Sequence, residues 1–476
     1  MGVALTGLAM AEREIRWPIG LLVLVAWGGA LAIVRAKRQF LLASLLIAIS
    51  IRTTVNLWTP EERPYVVSSG TTTTAVELLA LDPPLLGLAL LLWATKRREH
   101  RPTDVVEVLA VLFLLLTAVS ALQAEDLSLS LCRFPVVARL LLIYYCFSRG
   151  VRSRRDVRLC VLALAACGIA QSCLAIVQTA GASPGVVGAL VEREEQLSII
   201  AVGSEEYGRA TGTVGYTTVL AQYLGAVFPM TVAAIFLARK AFWRNVAFGG
   251  SCLVVAAILL ILSRAEWIIT PLSLTAMSWL GAGKFRSVRR FSRGRLAAML
   301  LALVTVVALF WPMVAGRLTG PDEDSAASRI PSARVAVAVI AAHPFWGVGL
   351  NNYTRDMTAH GSQALLPGSP FGAHNTFLYL AAESGVLTLF VLLALLVATV
   401  RRLLSVRRAD EGSLALPAVA VLCGLGALLA HSMVEEGLHV HQVLAAILWT
   451  YVGLAGALLN LQKDDAIHAS RRVPGP

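Results

Sequence analysis

Charge is scarce in this chain: Asp, Glu, Lys and Arg supply only 15% of the 476 residues, against 57% hydrophobic residues and a mean hydropathy of +0.72. A water-soluble globular domain draws roughly a quarter of its residues from those four types, so the composition excludes a soluble enzyme. CxxC pairs are also lacking. The seven cysteines (Cys132, Cys146, Cys160, Cys167, Cys173, Cys252 and Cys423) fall mostly inside or at the ends of apolar runs, where they read as small packing residues and not as a disulfide or metal framework. No solenoid-type repeat recurs, and no polar stretch is long enough for a separate soluble domain. The first apolar run follows acidic as well as basic residues and lacks a small-residue cleavage site, so it is expected to stay as an anchor and not to be removed as a leader.

What the chain does have is apolar runs of the length a helix needs to cross a hydrocarbon core about 30 Å thick. They are Trp17–Val34, Gln39–Trp58, Ala75–Thr95, Val105–Leu122, Arg133–Phe147, Leu159–Ala180, Thr217–Ala238, Val246–Leu262, Trp267–Gly281, Leu296–Val314, Asn375–Val400, Ser413–Ser432 and Val440–Leu459. Lipid leaves unpaired backbone groups no partner, and no alternating barrel pattern is present, so these segments are expected to be helices. The fold class is therefore an all-α integral membrane protein, a polytopic helical bundle of about 12–13 transmembrane helices with one large extracytoplasmic loop. Residues 1–476 form one membrane domain, with a smaller extracytoplasmic loop at 181–216, the large loop at 316–373 and a cytoplasmic tail at 461–476.

Basic clusters fix the orientation, because Lys and Arg at span ends stay on the cytoplasmic side. Lys96-Arg97-Arg98, Arg152 to Arg158, Arg239-Lys240 with Arg244, Lys284 to Arg295, and Arg401-Arg402 with Arg407-Arg408 occupy alternate connections. They account for most of the net charge of +12 without nucleic acid, and no basic stretch interleaves with aromatics as a strand-binding surface would. The segments 181–216 and 316–373 then share the extracytoplasmic face, where they can build one site.

The candidate residues gather there. Arg209 precedes Ala210-Thr211-Gly212-Thr213 at the mouth of a span, and Arg264 lies in a tight outer turn with Glu266 close enough to neutralise it. An arginine at a span end with little loop to solvate it is costly unless it meets an anion or snorkels to headgroups. Arg329, Arg334 and His374 add to the same face. Guanidinium groups grip phosphate oxygens in pairs and keep their charge at any working pH, so the cluster suits a diphosphate. His343, Asn375 and Glu435 are further substrate-binding candidates, and Asn351 and Asn352 offer amides to sugar hydroxyls. Gly347 and Gly349 read as turn residues.

Arg329-Ile-Pro-Ser-Ala-Arg334, the run through His343-Pro-Phe-Trp-Gly347-Val-Gly349, then His374-Asn375-Thr-Phe377-Leu378 and Glu383-Ser-Gly385, resemble the signature of the O-antigen ligase and O-antigen polymerase superfamily. Arg209-Ala-Thr-Gly-Thr and Ser263-Arg264 resemble its other two elements, although Val214-Gly215-Tyr216 departs from the family's Asn-bearing continuation. The resemblance implies a metal-independent inverting glycosyltransferase, without cofactor, in the bacterial cytoplasmic (inner) membrane with its site facing the periplasm. It implies an undecaprenyl-diphosphate-linked glycan donor, a lipid-linked or lipid A-core acceptor, and a chain-length regulator as a possible partner protein. Arg209 and Arg264 would hold the diphosphate, and His374 would take the acceptor's proton. Arg329 and Arg334 would clamp diphosphate or orient the acceptor.

Two other readings stand beside it. His431, Glu435 and His439, spaced by four, would share one helical face and suggest a membrane metallohydrolase. A flippase of lipid-linked glycans is the other, although such transporters show internal repeats that this chain lacks. Within the transferases, the acidic pair Glu435-Glu436 and the stretch Asp322-Glu323-Asp324 disfavour a strongly phosphorylated acceptor and tip the reading toward polymerase.

Overall fold

The computed structural model describes residues 24–52, 54–58, 75–95, 104–179, 199–202, 205–281, 329–361, 372–409 and 413–470, with single positions between 308 and 316. The expected span Leu296–Val314 lies almost wholly outside these residues, as do the Lys284 to Arg295 cluster and Asp322-Glu323-Asp324.

Helices dominate. A short α1 (Leu24–Ile33) precedes α2 (Lys37–Ile49) and α3 (Asp82–Ala94), with an antiparallel pair of strands, β1 (Thr54–Trp58) and β2 (Val76–Leu79), between them. Next come α4 (Val105–Leu122), α5 (Leu127–Gly150) and α6 (Arg154–Thr179), then the antiparallel pair β3 (Ile199–Val202) and β4 (Glu205–Gly208). The second half holds α7 (Thr217–Leu237), α8 (Ala241–Leu260), α9 (Arg264–Gly281), α10 (Arg329–Ala342), α11 (Tyr353–Gly361), α12 (Thr376–Ala409), α13 (Ala415–Ser432), α14 (Gly437–Val440) and α15 (Gln442–Ser470). Eight described helices are long and apolar enough to cross a membrane: α4 to α8, α12, α13 and α15. The chain is an all-α polytopic membrane protein. α7 and α15 are the most enclosed of the eight, and Tyr451 of α15 ties them together by donating to the Ala226 carbonyl at 2.8 Å.

Two expected spans are shorter than their hydropathy suggests. Gln39–Trp58 becomes the 13-residue α2 followed by a strand, and Ala75–Thr95 becomes a strand followed by the 13-residue α3. Thirteen helical residues reach only about 20 Å. Asp82-Pro83-Pro84 is the physical reason in the second case, since proline is tolerated in a first turn and not in a helix interior. Asp82 Oδ2 accepts from the Leu79 amide at 2.8 Å, and Oδ1 meets Arg139 at 2.7 Å. α5 is instead longer than the expected Arg133–Phe147. Asp126 caps it, its side chain accepting from the amides of Ser128 and Leu129. α15 continues through Ser470, so most of the expected tail at 461–476 is helix.

Short connections make consecutive spans antiparallel. The ends carrying Arg209, Arg264, His374 and Glu435 therefore face one side of the bundle. Arg154 with Asp465, at 2.8 Å, and Arg402 with Asp104 mark the other.

The described part of the large loop is structured by its signature residues. Gly385, at φ 83°, interrupts α12, which frees carbonyl groups one turn earlier. The segment His343 to Gly349 supplies the missing donors: Val348 N–H to Ala382 O and Gly349 N–H to Glu383 O, both at 3.0 Å, while Val386 N–H donates to Pro344 O at 2.9 Å. Contact is close enough that a Cβ on Gly385 would stand 2.0 Å from the Phe345 carbonyl oxygen, and one on Gly347 2.3 Å from that of Glu383. Gly347, at φ 70°, is the turn residue expected and also closes a clasp with Gly385. Gly385→Ala should destabilise the protein by more than about 3 kcal/mol, since it adds a left-handed conformation to a backbone clash. A lowered melting temperature in detergent would show it, and an unchanged one would refute the clasp.

Asn351 and Asn352 do not face sugars. Both are buried: Asn351 donates to Leu129 O at 2.8 Å, and Asn352 accepts from the Asp126 amide at 3.0 Å. They pin the loop to the start of α5.

Candidate functional site

His374 sits where the loop turns into α12. Asn375 caps that helix, its Oδ1 accepting from the amides of Phe377 at 2.9 Å and Leu378 at 3.0 Å. Its Nδ2 donates to Met433 O at 2.9 Å, and Thr376 Oγ1 donates to Glu435 O at 3.0 Å. The start of α12 is therefore bolted to the turn that follows α13. Asn375 serves this frame and also lines the cleft. His374 itself adopts φ 45°, a left-handed conformation that costs a non-glycine residue about 1–3 kcal/mol and gathers at functional sites.

That geometry lays the imidazole across two carboxylates. His374 Nδ1 lies 3.7 Å from Glu435 Oε2 and 3.6 Å from Glu436 Oε2, and Arg329 reaches Glu435 Oε1 at 3.4 Å. Arg334, five residues further along α10, joins Arg329, His374, Asn375 and Met433 around an open cleft of about 430 Å3, whose remaining wall is apolar. Burial alone would depress the imidazole's pKa. The Glu435 carboxylate, then that of Glu436, outweigh it and hold His374 above its ordinary value of 6.5. Burial works against Glu435 too, yet His374 and Arg329 keep it below the usual carboxylate range. Burial, helped by the neighbouring Glu435 charge, pushes Glu436 up. The two carboxylates are thus pushed in opposite directions, Glu435 down and Glu436 up.

The other two arginines stand at a neighbouring turn. Arg209, 9% exposed after β4, donates from Nε to Ile261 O at 2.9 Å. Leu262 then turns through φ 59°, and Arg264 opens α9. One turn thus brings Arg209 and Arg264 together, outside the residues that line the cleft. His343 is exposed at the head of the clasp and does not line the cleft either. Glu266 does not turn outward: fully buried, its Oε1 lies 2.7 Å from His431 Nδ1 and its Oε2 accepts from the Thr270 hydroxyl at 3.1 Å.

The face expected from His431, Glu435 and His439 does not exist, because α13 ends at Ser432 and the chain turns before α14. His431 meets Glu266, Glu435 meets His374 and Arg329, and His439 Nε2 meets Glu383 Oε2 at 2.5 Å. A different set satisfies the geometric demand for a cation: ligand atoms of His374, Glu435 and Glu436 all lie within 4.8 Å of one another. The charges disfavour it. A bound cation needs a free carboxylate, whereas here Arg329 already engages Glu435.

The sequence offered Glu436 as part of a carboxylate doublet in an outer turn, and His431 as one member of an alternative metal face whose groups could instead line the entrance or pair with the arginines. No periodicity links Glu266 to His431, 165 positions apart. His441, beside the same turn, has its ring 4.6 Å from that of Tyr216; burial, then Arg52 and Arg133, push its pKa down to about 3, so it stays neutral.

The family model described as O-antigen ligase matches residues 249–393. The matched stretch takes in Arg264, Arg329, Arg334, His343 and His374, and leaves out Arg209 and Glu435. No curated protein matches the chain.

Proposed function

With the O-antigen ligase domain lying across residues 249–393, we propose that this membrane protein is an inverting, metal-independent glycosyltransferase working on the extracytoplasmic face of the bacterial cytoplasmic membrane. The donor is an undecaprenyl-diphosphate-linked glycan, and the acceptor is a sugar hydroxyl on another lipid-linked repeat unit. The observation that carries this reading is an imidazole set against two carboxylates in an arginine-lined cleft, beside a turn that offers two more arginines.

The acceptor hydroxyl oxygen attacks the anomeric carbon while the bond from that carbon to the diphosphate oxygen breaks, a single displacement that inverts configuration. His374 takes the hydroxyl proton, and Glu435 stabilises the imidazolium that forms. Arg209 and Arg264 bind the departing diphosphate as its charge grows. Arg329 and Arg334 orient the acceptor. Undecaprenyl diphosphate leaves, and the proton later returns to water.

Polymerase is the preferred form of the reaction, on the strength of the acidic doublet Glu435-Glu436 beside the cleft, a poorer neighbour for a phosphorylated lipid A-core than for an uncharged repeat unit. A chain-length regulator is a proposed partner. The test is turnover of donor extracted from membranes of cells lacking this chain, with chelator present and products resolved by size. A ladder of lengthening glycans supports polymerase, and transfer only after lipid A-core is added makes it a ligase. Loss of activity in chelator, restored by a divalent cation, would favour His374, Glu435 and Glu436 as a metal site.

The pH profile has a definite sign. The rate should climb as His374 loses its proton, with a midpoint above 6.5 because the carboxylates stabilise the charged ring. Glu435→Gln removes the larger of those influences, so the midpoint of kcat against pH should move down. An upward or absent shift would show that His374 is not the base.

A further inference from the structure

Two half-sites must keep a fixed separation for this reaction: the arginines at the 261–264 turn and His374 at the start of α12. The buried pair Glu266 and His431 lies between them. Glu266 is in the first turn of α9, two residues after Arg264. His431 is in the last turn of α13, two residues before Met433, whose carbonyl accepts from Asn375. Their contact at 2.7 Å thus closes a chain from the guanidinium of the leaving-group end, through α9 and α13, to the residue next to the imidazole.

The surroundings are built around this contact. Glu266 and His431 are 0% and 1% exposed. Gly225 of α7 leaves a notch for the carboxylate, since a Cβ there would stand 2.1 Å from Glu266 Oε2. Thr270 holds that second oxygen, and Gln222 of α7 donates to Leu428 O at 3.1 Å and Ser432 Oγ at 2.9 Å on either side of His431. Removing an acid and an imidazole from water is expensive, and a well-packed apolar pair would hold two helices together at least as well. What a hydrogen-bonded pair adds over an apolar one is a single register.

We propose that Glu266 and His431 are positioning residues, which set the distance between the diphosphate-binding arginines and the His374 base without touching substrate. This rests on the transferase reading above. The test uses the full chain in nanodiscs with donor extracted from membranes of cells lacking it, and offers lipid-linked and lipid A-core acceptors in turn. Glu266→Gln and His431→Ala should each lower kcat by about 10–100-fold, the loss that follows from misplacing reacting groups by about 1 Å, while KM for donor stays within about twofold. The reciprocal exchange Glu266→His with His431→Glu should recover most of the loss. Ser273→Ala is the control: its hydroxyl bonds Cys423 O across the same two helices, further from the outer turn, and it should leave kcat unchanged. Either single variant keeping wild-type kcat, or a loss that the exchange fails to recover, would overturn the inference while the transferase reading stands. A wild type inert toward both acceptors would overturn both.

Discussion

His374→Ala is expected to lower kcat by about 10²–10⁴-fold, the range for loss of a positioned general base, while donor binding survives. The reason lies in what His374 touches. Its Nδ1 faces Glu435 and Glu436, while the four arginines are carried by other elements, α10, the end of β4 and the 261–264 turn, and do not depend on it. Binding of radiolabelled donor beside single-turnover kinetics separates the two effects. Binding lost together with turnover would recast His374 as a phosphate ligand. A flippase would pass the same variant with transport intact.

The second large effect belongs to Arg264. Arg264→Ala should reduce kcat by about 10²–10³-fold, comparable to deleting one donor from an oxyanion hole, because its charge is set against a leaving group that becomes more anionic in the transition state. Arg264→Lys should recover only part of this, since an ammonium keeps the charge and loses the planar fork. Arg209 approaches the same turn from β4, so Arg209→Ala and Arg264→Ala should combine less than additively. Full additivity would place the two arginines on separate anions.

The bundle was legible because hydropathy is a direct consequence of the solvent: eight described helices of adequate length coincide with runs visible as apolar stretches. The two runs that came out short, Gln39–Trp58 and Ala75–Thr95, both carry warning residues, Arg52 and Asp82-Pro83-Pro84. A hydropathy sum averages such residues away. The arginines and His374 stood out because cations are rare in such a chain. Arg329, Arg334 and His374 do share a cleft, whereas Arg209 and Arg264 form a separate pair at one turn. The partners that tune them were hidden for a geometric reason. Glu435 reaches His374 across 61 positions, and Glu266 reaches His431 only because Gly225 of a third helix makes room. Contacts fixed by three-helix packing leave no period in the chain.

The clasp at Gly385 bears on how this protein's kin can be recognised. Its backbone bonds and glycine positions tolerate few alternatives, so a search keyed to the His-Pro-Phe-Trp-Gly and Glu-Ser-Gly signatures detects chains sharing this scaffold whether or not they share its chemistry. The matched stretch 249–393 ends before Glu435 and begins after Arg209. Divergence in acceptor or reaction would be written at those two flanks, and sorting such chains by what they carry there should separate activities that the signature groups together.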